Sequence, residues 1–228
     1  MLHGHDDARH RARMAQRRWQ LPAHERQIVL VRHGATVGEL HEKLAHGDLV
    51  HSNPALTHDG HVQAEAVGKA LENENIAHVF VTPLTRTHQT AAPLCARLER
   101  EPLVEPGLRE SHLGDFEHDF YAQAEGGNPV IARVFAEQRW DVIPNAEPAG
   151  EIERRVRAGI GAIATMLLPG QTGVAFSHAG TIAEICRLAV GGEPFAFLNV
   201  QNGSITRLLI GADGRWKLHS FNEVAHLA

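Results

Sequence analysis

Ile28-Val29-Leu30-Val31 is an unbroken apolar run, with no polar residue at alternate positions. A short run of this kind reads as a strand buried on both faces, which requires layers above and below it. The strand is expected over residues 27–32. Two further apolar strands are expected, over residues 77–82 and 173–177. The segments between them carry helical spacing. Residues 57–73 set Val67 and Leu71 on one face, and residues 86–100 form a second helix interrupted early by Pro93. Residues 151–168 repeat Ile152, Val156, Ile160, Ile163 and Leu167 every three or four positions before Pro169-Gly170. A helix over 181–190 opens on Thr181-Ile182-Ala183-Glu184, which has the form of a capping box, and ends at Gly191-Gly192. Residues 204–210 and 215–221 read as two strands around the turn Asp213-Gly214. This alternation predicts an α/β fold: a three-layer α/β/α sandwich with a mostly parallel central sheet and an antiparallel strand.

The 228 residues suffice for a single core. Residues 1–25 read as a basic, mobile N-terminal extension, or as a docking arm for an acidic surface or second subunit. Residues 26–228 read as one domain. Within it, residues 111–146 form an irregular insertion with one short helix near 128–140, expected to cover a pocket. A net charge of -5 argues against general nucleic-acid binding. No apolar run approaches the roughly 20 residues that span a bilayer, and the start of the chain lacks a signal-peptide core, so a cytoplasmic location without a membrane partner is expected. Cys95 and Cys186 read as buried thiols rather than a disulfide. Homo-oligomer formation is left open.

Three polar clusters follow the three expected parallel strands, at the carboxyl edge where open α/β sheets bind ligands. They are Arg32-His33-Gly34, Thr82-Pro83-Leu84-Thr85-Arg86 and Ser177-His178-Ala179-Gly180-Thr181. Two arginines, two histidines and the amides of a helix N-terminus, with Ala179 among them, would make a phosphate cradle. The chain contains no GxxxxGK[ST] loop, so it is no P-loop nucleotide binder. Taken singly, each cluster is weak in a chain with 17 histidines; only their conjunction points to chemistry.

The segment Leu30-Val31-Arg32-His33-Gly34-Ala35-Thr36 resembles the signature of the histidine phosphatase superfamily. Further segments are similar to that family's motifs and follow in its order. They begin at Leu56-Thr57 (through Gly60, Gln63 and Ala64), Thr82-Pro83, Leu108-Arg109-Glu110, Pro148-Ala149-Gly150-Glu151 and Phe176-Ser177-His178, and end with Asn202-Gly203-Ser204 and Phe221-Asn222. The resemblance implies that His33 attacks phosphorus and becomes phosphohistidine. It implies that Arg32, Arg86 and His178 hold the phosphoryl oxygens, and that Glu110 serves as acid and then base. No metal or other cofactor is implied. The substrate is a small phosphorylated molecule, for which Thr36, Glu39, His112, Phe116 and His118 are candidate pocket residues. Many relatives carry Asn where this chain has Glu39, whose charge would repel a multiply anionic substrate. Mutases of the family also show a Tyr soon after the acid and a paired arginine in the insertion, whereas Arg133 and Arg139 stand apart here. The resemblance therefore favours the phosphatase branch, with metal-independent phosphomonoester hydrolysis as the expected activity. A phosphoglycerate mutase and a catalytically silent binding module of the same fold are the alternatives.

Overall fold

The computed structural model describes residues 19–37, 43–46 and 49–228. Strand β1 (Arg26–Arg32) lies inside a six-stranded sheet. Its neighbours in the sheet are β4 (Ile76–Val81), β5 (Leu103–Val104), β6 (Thr172–Ser177), β7 (Ile205–Ile210) and β8 (Trp216–Glu223), in the order β5-β4-β6-β1-β7-β8. Strands β5, β4, β6 and β1 run parallel; β1/β7 and β7/β8 are antiparallel. A separate antiparallel pair, β2 (Lys43–His46) with β3 (Leu49–Ser52), was not anticipated from the sequence.

Alternation along β1 builds the two cores, because successive side chains leave a strand on opposite faces. Ile28 and Leu30 join Ile152, Val156, Ile160 and Ile163 of α5 (Ala149–Met166), and Ile182 and Ile185 of α6 (Ala179–Val190). Val29 and Val31 join Val67 and Leu71 of α1 (His58–Leu71), and Ala91 and Leu94 of α2 (Thr85–Leu98). The result is the expected three-layer sandwich.

Local chemistry sets the helix ends. Thr57 caps α1, its hydroxyl accepting from the Gly60 amide. Helix α2 is not interrupted at Pro93 but runs through it. A Cβ on Gly68 of α1 would lie 3.1 Å from that ring's Cβ, so α1 packs closely against the proline. The N-cap of helix α6 is His178, three residues earlier than the capping box predicts. The Thr181 hydroxyl donates to Arg109 O instead, and Glu184 pairs with Arg187.

The insertion holds more structure than one helix: α3 (Phe120–Glu125), α4 (Pro129–Glu137) and two 3-10 turns around a small core of Phe116, Ile131, Val134 and Ile143. The expected extension is partly corrected. Glu25 is buried and paired with Lys217, its carbonyl accepts from Gly170 N, and Trp19 stacks on His219 at 4.1 Å. The end of that segment is thus bound to the sheet, while residues 1–18, including the basic stretch, lie outside the described residues. Among the described residues no helix is long and apolar enough to cross a membrane.

Candidate active site

Parallel pairing of β1 with β6 sets Arg32 opposite Ser177, so the residues that follow, His33 and His178, emerge side by side. The His33 amide donates to Ser177 O at 3.0 Å, and the two imidazole centroids are 5.2 Å apart. Strand β4 lies beyond β6 and delivers Thr82 and Arg86 to the same edge.

The loop after β1 is held from three directions. Gly34 N donates to Thr90 Oγ1, Ala35 N donates to Gln63 Oε1, and Ala35 O accepts from Thr57 N. Leu56 N donates to Gln89 Oε1. Gly34 and Gly60 face each other so closely that a Cβ on Gly34 would stand 2.4 Å from Gly60 O. The motif glutamines and glycines are thus the frame around the loop that bears His33.

His33 is 7% exposed. Its Nδ1 lies 2.8 Å from Gly34 O. A carbonyl only accepts, so Nδ1 carries the proton and Nε2 keeps its lone pair. Burial, with the Arg86 and Arg32 charges beside it, holds this ring well below the usual imidazole value. The same causes, burial first and then Arg86, hold His178 well below that value. His178 Nδ1 accepts from Arg86 Nε at 3.2 Å, so its Nε2–H donates to Thr82 Oγ1 at 2.9 Å. With both nitrogens committed, His178 has an N–H for an anion only after Nδ1 gains a proton, which an arriving dianion favours. Arg86 also donates through Nη1 to Ser52 O, and burial lowers its guanidinium to about 10, still cationic at neutral pH. Arg32 donates through Nη1 to Val200 O.

Glu110 sits against the N-terminus of α6. Its Oε1 accepts from Ser111 N and Thr181 N, and its Oε2 accepts from Gly180 N. Two first-turn amides expected to serve an anionic ligand therefore hold this carboxylate instead. A Cβ on Gly180 would meet Glu110 Oε1 at 2.8 Å, so glycine is what permits the approach.

A cavity of about 440 Å³ opens beside this cluster, with Arg32, Glu110 and Ala179 in its wall. Thr36 and His118 also line it, as anticipated for pocket residues. His112 and Phe116 do not. The His112 ring is taken by Val50 O and Gly114 N, and Phe116 turns into the insertion's own core. Glu39 lies outside the described residues. Sequence reasoning assigned no role to Thr82 or Gln63, although each falls in a quoted motif, nor to Gln89 and Thr90 just beyond Arg86. It also missed Glu117, whose Oε1 accepts from Ser52 N and Oε2 from Leu113 N.

The model of the histidine phosphatase superfamily (branch 1) matches residues 28–224. The chain belongs to the histidine phosphatase superfamily. Among its curated relatives is phosphoglycerate mutase-like protein 4 of Arabidopsis thaliana, 28% identical over 207 residues, with 88% of this chain and 86% of the relative covered. A probable phosphoglycerate mutase of Yersinia enterocolitica is 27% identical over 219 residues, covering 88% and 94%. Among solved structures, a mycobacterial glucosyl-3-phosphoglycerate phosphatase superposes with a TM-score of 0.71 at 22% identity, covering 88% of this chain and 100% of that one. At that identity the likeness speaks for the fold. Histidine phosphatases of both names thus surround this chain, and its activity must be argued from its own site.

Proposed function

We propose that this histidine phosphatase hydrolyses phosphomonoesters through a phosphohistidine at His33. The observation that carries the reading is the His33 tautomer: Nδ1–H is tied to Gly34 O, which leaves Nε2 as a neutral nucleophile beside two guanidinium groups. The Nε2 lone pair attacks phosphorus, and the bond from phosphorus to the ester oxygen breaks. Glu110 gives its proton to the departing alkoxide. A water then attacks the phosphohistidine while Glu110 takes a proton from it, the P–N bond breaks, and phosphate leaves with His33 neutral again. Arg32 and Arg86, with His178 once protonated, stabilise the charge on the phosphoryl oxygens, a task for which a metal ion is not needed. The reading includes a reducing, cytoplasmic setting, supported by the two free thiols Cys95 and Cys186.

The test is phosphate release from p-nitrophenyl phosphate with EDTA present, by the wild type and by His33→Ala. Metal-independent turnover that disappears in the variant is the expected result. Turnover that survives in purified His33→Ala would overturn the mechanism. The names of the mutase relatives favour a second reading, isomerisation of a phosphoglycerate. It predicts phosphoryl transfer between positions of 3-phosphoglycerate with little phosphate released.

A further inference from the structure

The cavity beside the phosphate site has an unusual wall for this chain. Aromatic residues are only 5% of the sequence, yet Phe120, Tyr121, Phe135 and Trp140 all face this one space. They come from α3, α4 and the turn that follows, and they support one another. Phe120 and Trp140 meet edge to face at 5.8 Å, and Phe135 meets Trp140 at 6.5 Å. Phe195 braces Trp140 from behind at 4.7 Å. Tyr121 stays 70% and Phe135 51% exposed, apolar surface held open at the mouth of a cleft. A cleft lined mostly by apolar and aromatic groups, with a few polar groups at one end, is the ordinary form of a site for an apolar ligand body.

The charges in the wall point the same way. Among the described lining residues Arg32 is the sole Lys or Arg, and it belongs to the phosphate end. Glu110 and Glu117 are both present. Burial pushes the Glu117 carboxyl up, but the nearby His51 ring, 3.7 Å away, and hydrogen bonds from the Leu113 and Ser52 amides outweigh it and hold Glu117 below the usual carboxylate range. A carboxylate on the substrate's alcohol portion would meet the Glu117 charge, with no guanidinium outside the phosphate end to receive it.

We infer that the preferred substrates are phosphate esters of alcohols with an apolar or aromatic body and no carboxylate, the ring seated against Phe120, Tyr121, Phe135 and Trp140. The inference rests on the hydrolytic reading above and departs from the phosphoglycerates in the relatives' names.

The experiment compares kcat/KM for 2-phenylethyl phosphate, glycerol 3-phosphate and 3-phosphoglycerate. All are alkyl esters, so leaving-group reactivity is similar for the first two and differs modestly for the third. The wild type should favour 2-phenylethyl phosphate over each of the others by about tenfold or more. Tyr121→Ala and Phe135→Ala, both at exposed positions, should shrink that preference by lowering kcat/KM for 2-phenylethyl phosphate severalfold more than for glycerol 3-phosphate. Equal or better use of 3-phosphoglycerate would overturn the inference and leave hydrolysis standing. So would a preference untouched by both variants. Absence of phosphate release from all three esters and from p-nitrophenyl phosphate would remove the hydrolytic reading, and the inference with it.

Discussion

Gly60 touches no reacting group, yet its replacement by alanine should cripple the site. A Cβ there would stand 2.1 Å from Ala35 O, a backbone atom that cannot rotate away. The closest comfortable C···O approach is about 3.3 Å. The start of α1 and the loop after β1 must therefore part by about 1 Å. That movement stretches the bonds from Thr57 N and Thr57 Oγ1 to Ala35 O, and those from Ala35 N to Gln63 and Gly34 N to Thr90. The loop carries His33 one residue before Gly34, so the nucleophile shifts with it. A misplacement of about 1 Å costs on the order of 100-fold in turnover, and overpacking costs about 1–3 kcal/mol of stability. Gly60→Ala should show both losses in phosphate-release kinetics and urea unfolding. Gly34→Ala forces open the same gap, because its Cβ would meet Gly60 O at 2.4 Å. The double variant should then lose less than the sum of the single losses, since one separation relieves both clashes. Strict additivity, or a Gly60→Ala enzyme with wild-type turnover and midpoint, would refute the claim that this contact positions His33.

Three other consequences are open to measurement. His33 and His178 are held well below pH 6.5 when folded and return to about that value on unfolding, so below it the unfolded chain binds more protons. The stability contributed by the two neutral rings is present above about pH 6.5 and lost as pH falls toward their folded values, by about 1.4 kcal/mol per pH unit for each. Urea unfolding between pH 7 and 5 should show the decline, with a shallower slope in His178→Asn, whereas a flat profile would contradict the burial of neutral rings. Glu147 is 6% exposed and accepts from Arg109 and, through both oxygens, from Arg155. Glu147→Ala should cost about 3–5 kcal/mol in urea unfolding at pH 7 by stranding two part-buried guanidinium groups, and a loss below about 1 kcal/mol would show that water or relaxation replaces the carboxylate. Burial pushes the Cys186 thiol up to about 12, so a disulfide reagent should leave it unlabelled in the native protein and modify it once urea unfolds the chain.

What could be read from the sequence was what the local backbone dictates. The run Ile28-Val29-Leu30-Val31 demands burial on both sides, and it received α5 and α6 on one face and α1 and α2 on the other. The three strand-end clusters could be located because a parallel sheet sends successive strand ends to one edge. What joined them was register, which no single segment encodes: Arg32 pairs with Ser177 through the whole length of β1 against β6. The pair β2/β3 escaped notice because four-residue strands such as Lys43-Leu44-Ala45-His46 carry little periodic signal.

The misplaced residues share a different cause. His112 and Phe116 were assigned to the pocket because they follow Glu110 closely, but proximity in sequence does not fix direction in an irregular excursion. The 3-10 turn at Gly114–Phe116 sends Phe116 inward to Ile131, Val134 and Ile143, and the next residues supply the wall through Phe120 and Tyr121. The start of α6 was misjudged for the same reason on a larger scale. Thr181 and Glu184 have capping-box spacing, but a capping box satisfies amides that lack another acceptor. Here Glu110, from the far side of the insertion, accepts from Gly180 N and Thr181 N. The helix extends back to Ala179, and the Thr181 hydroxyl turns to Arg109 O. A local motif was overridden by a distant carboxylate, and the override is what anchors the proposed acid at the helix that starts just after His178.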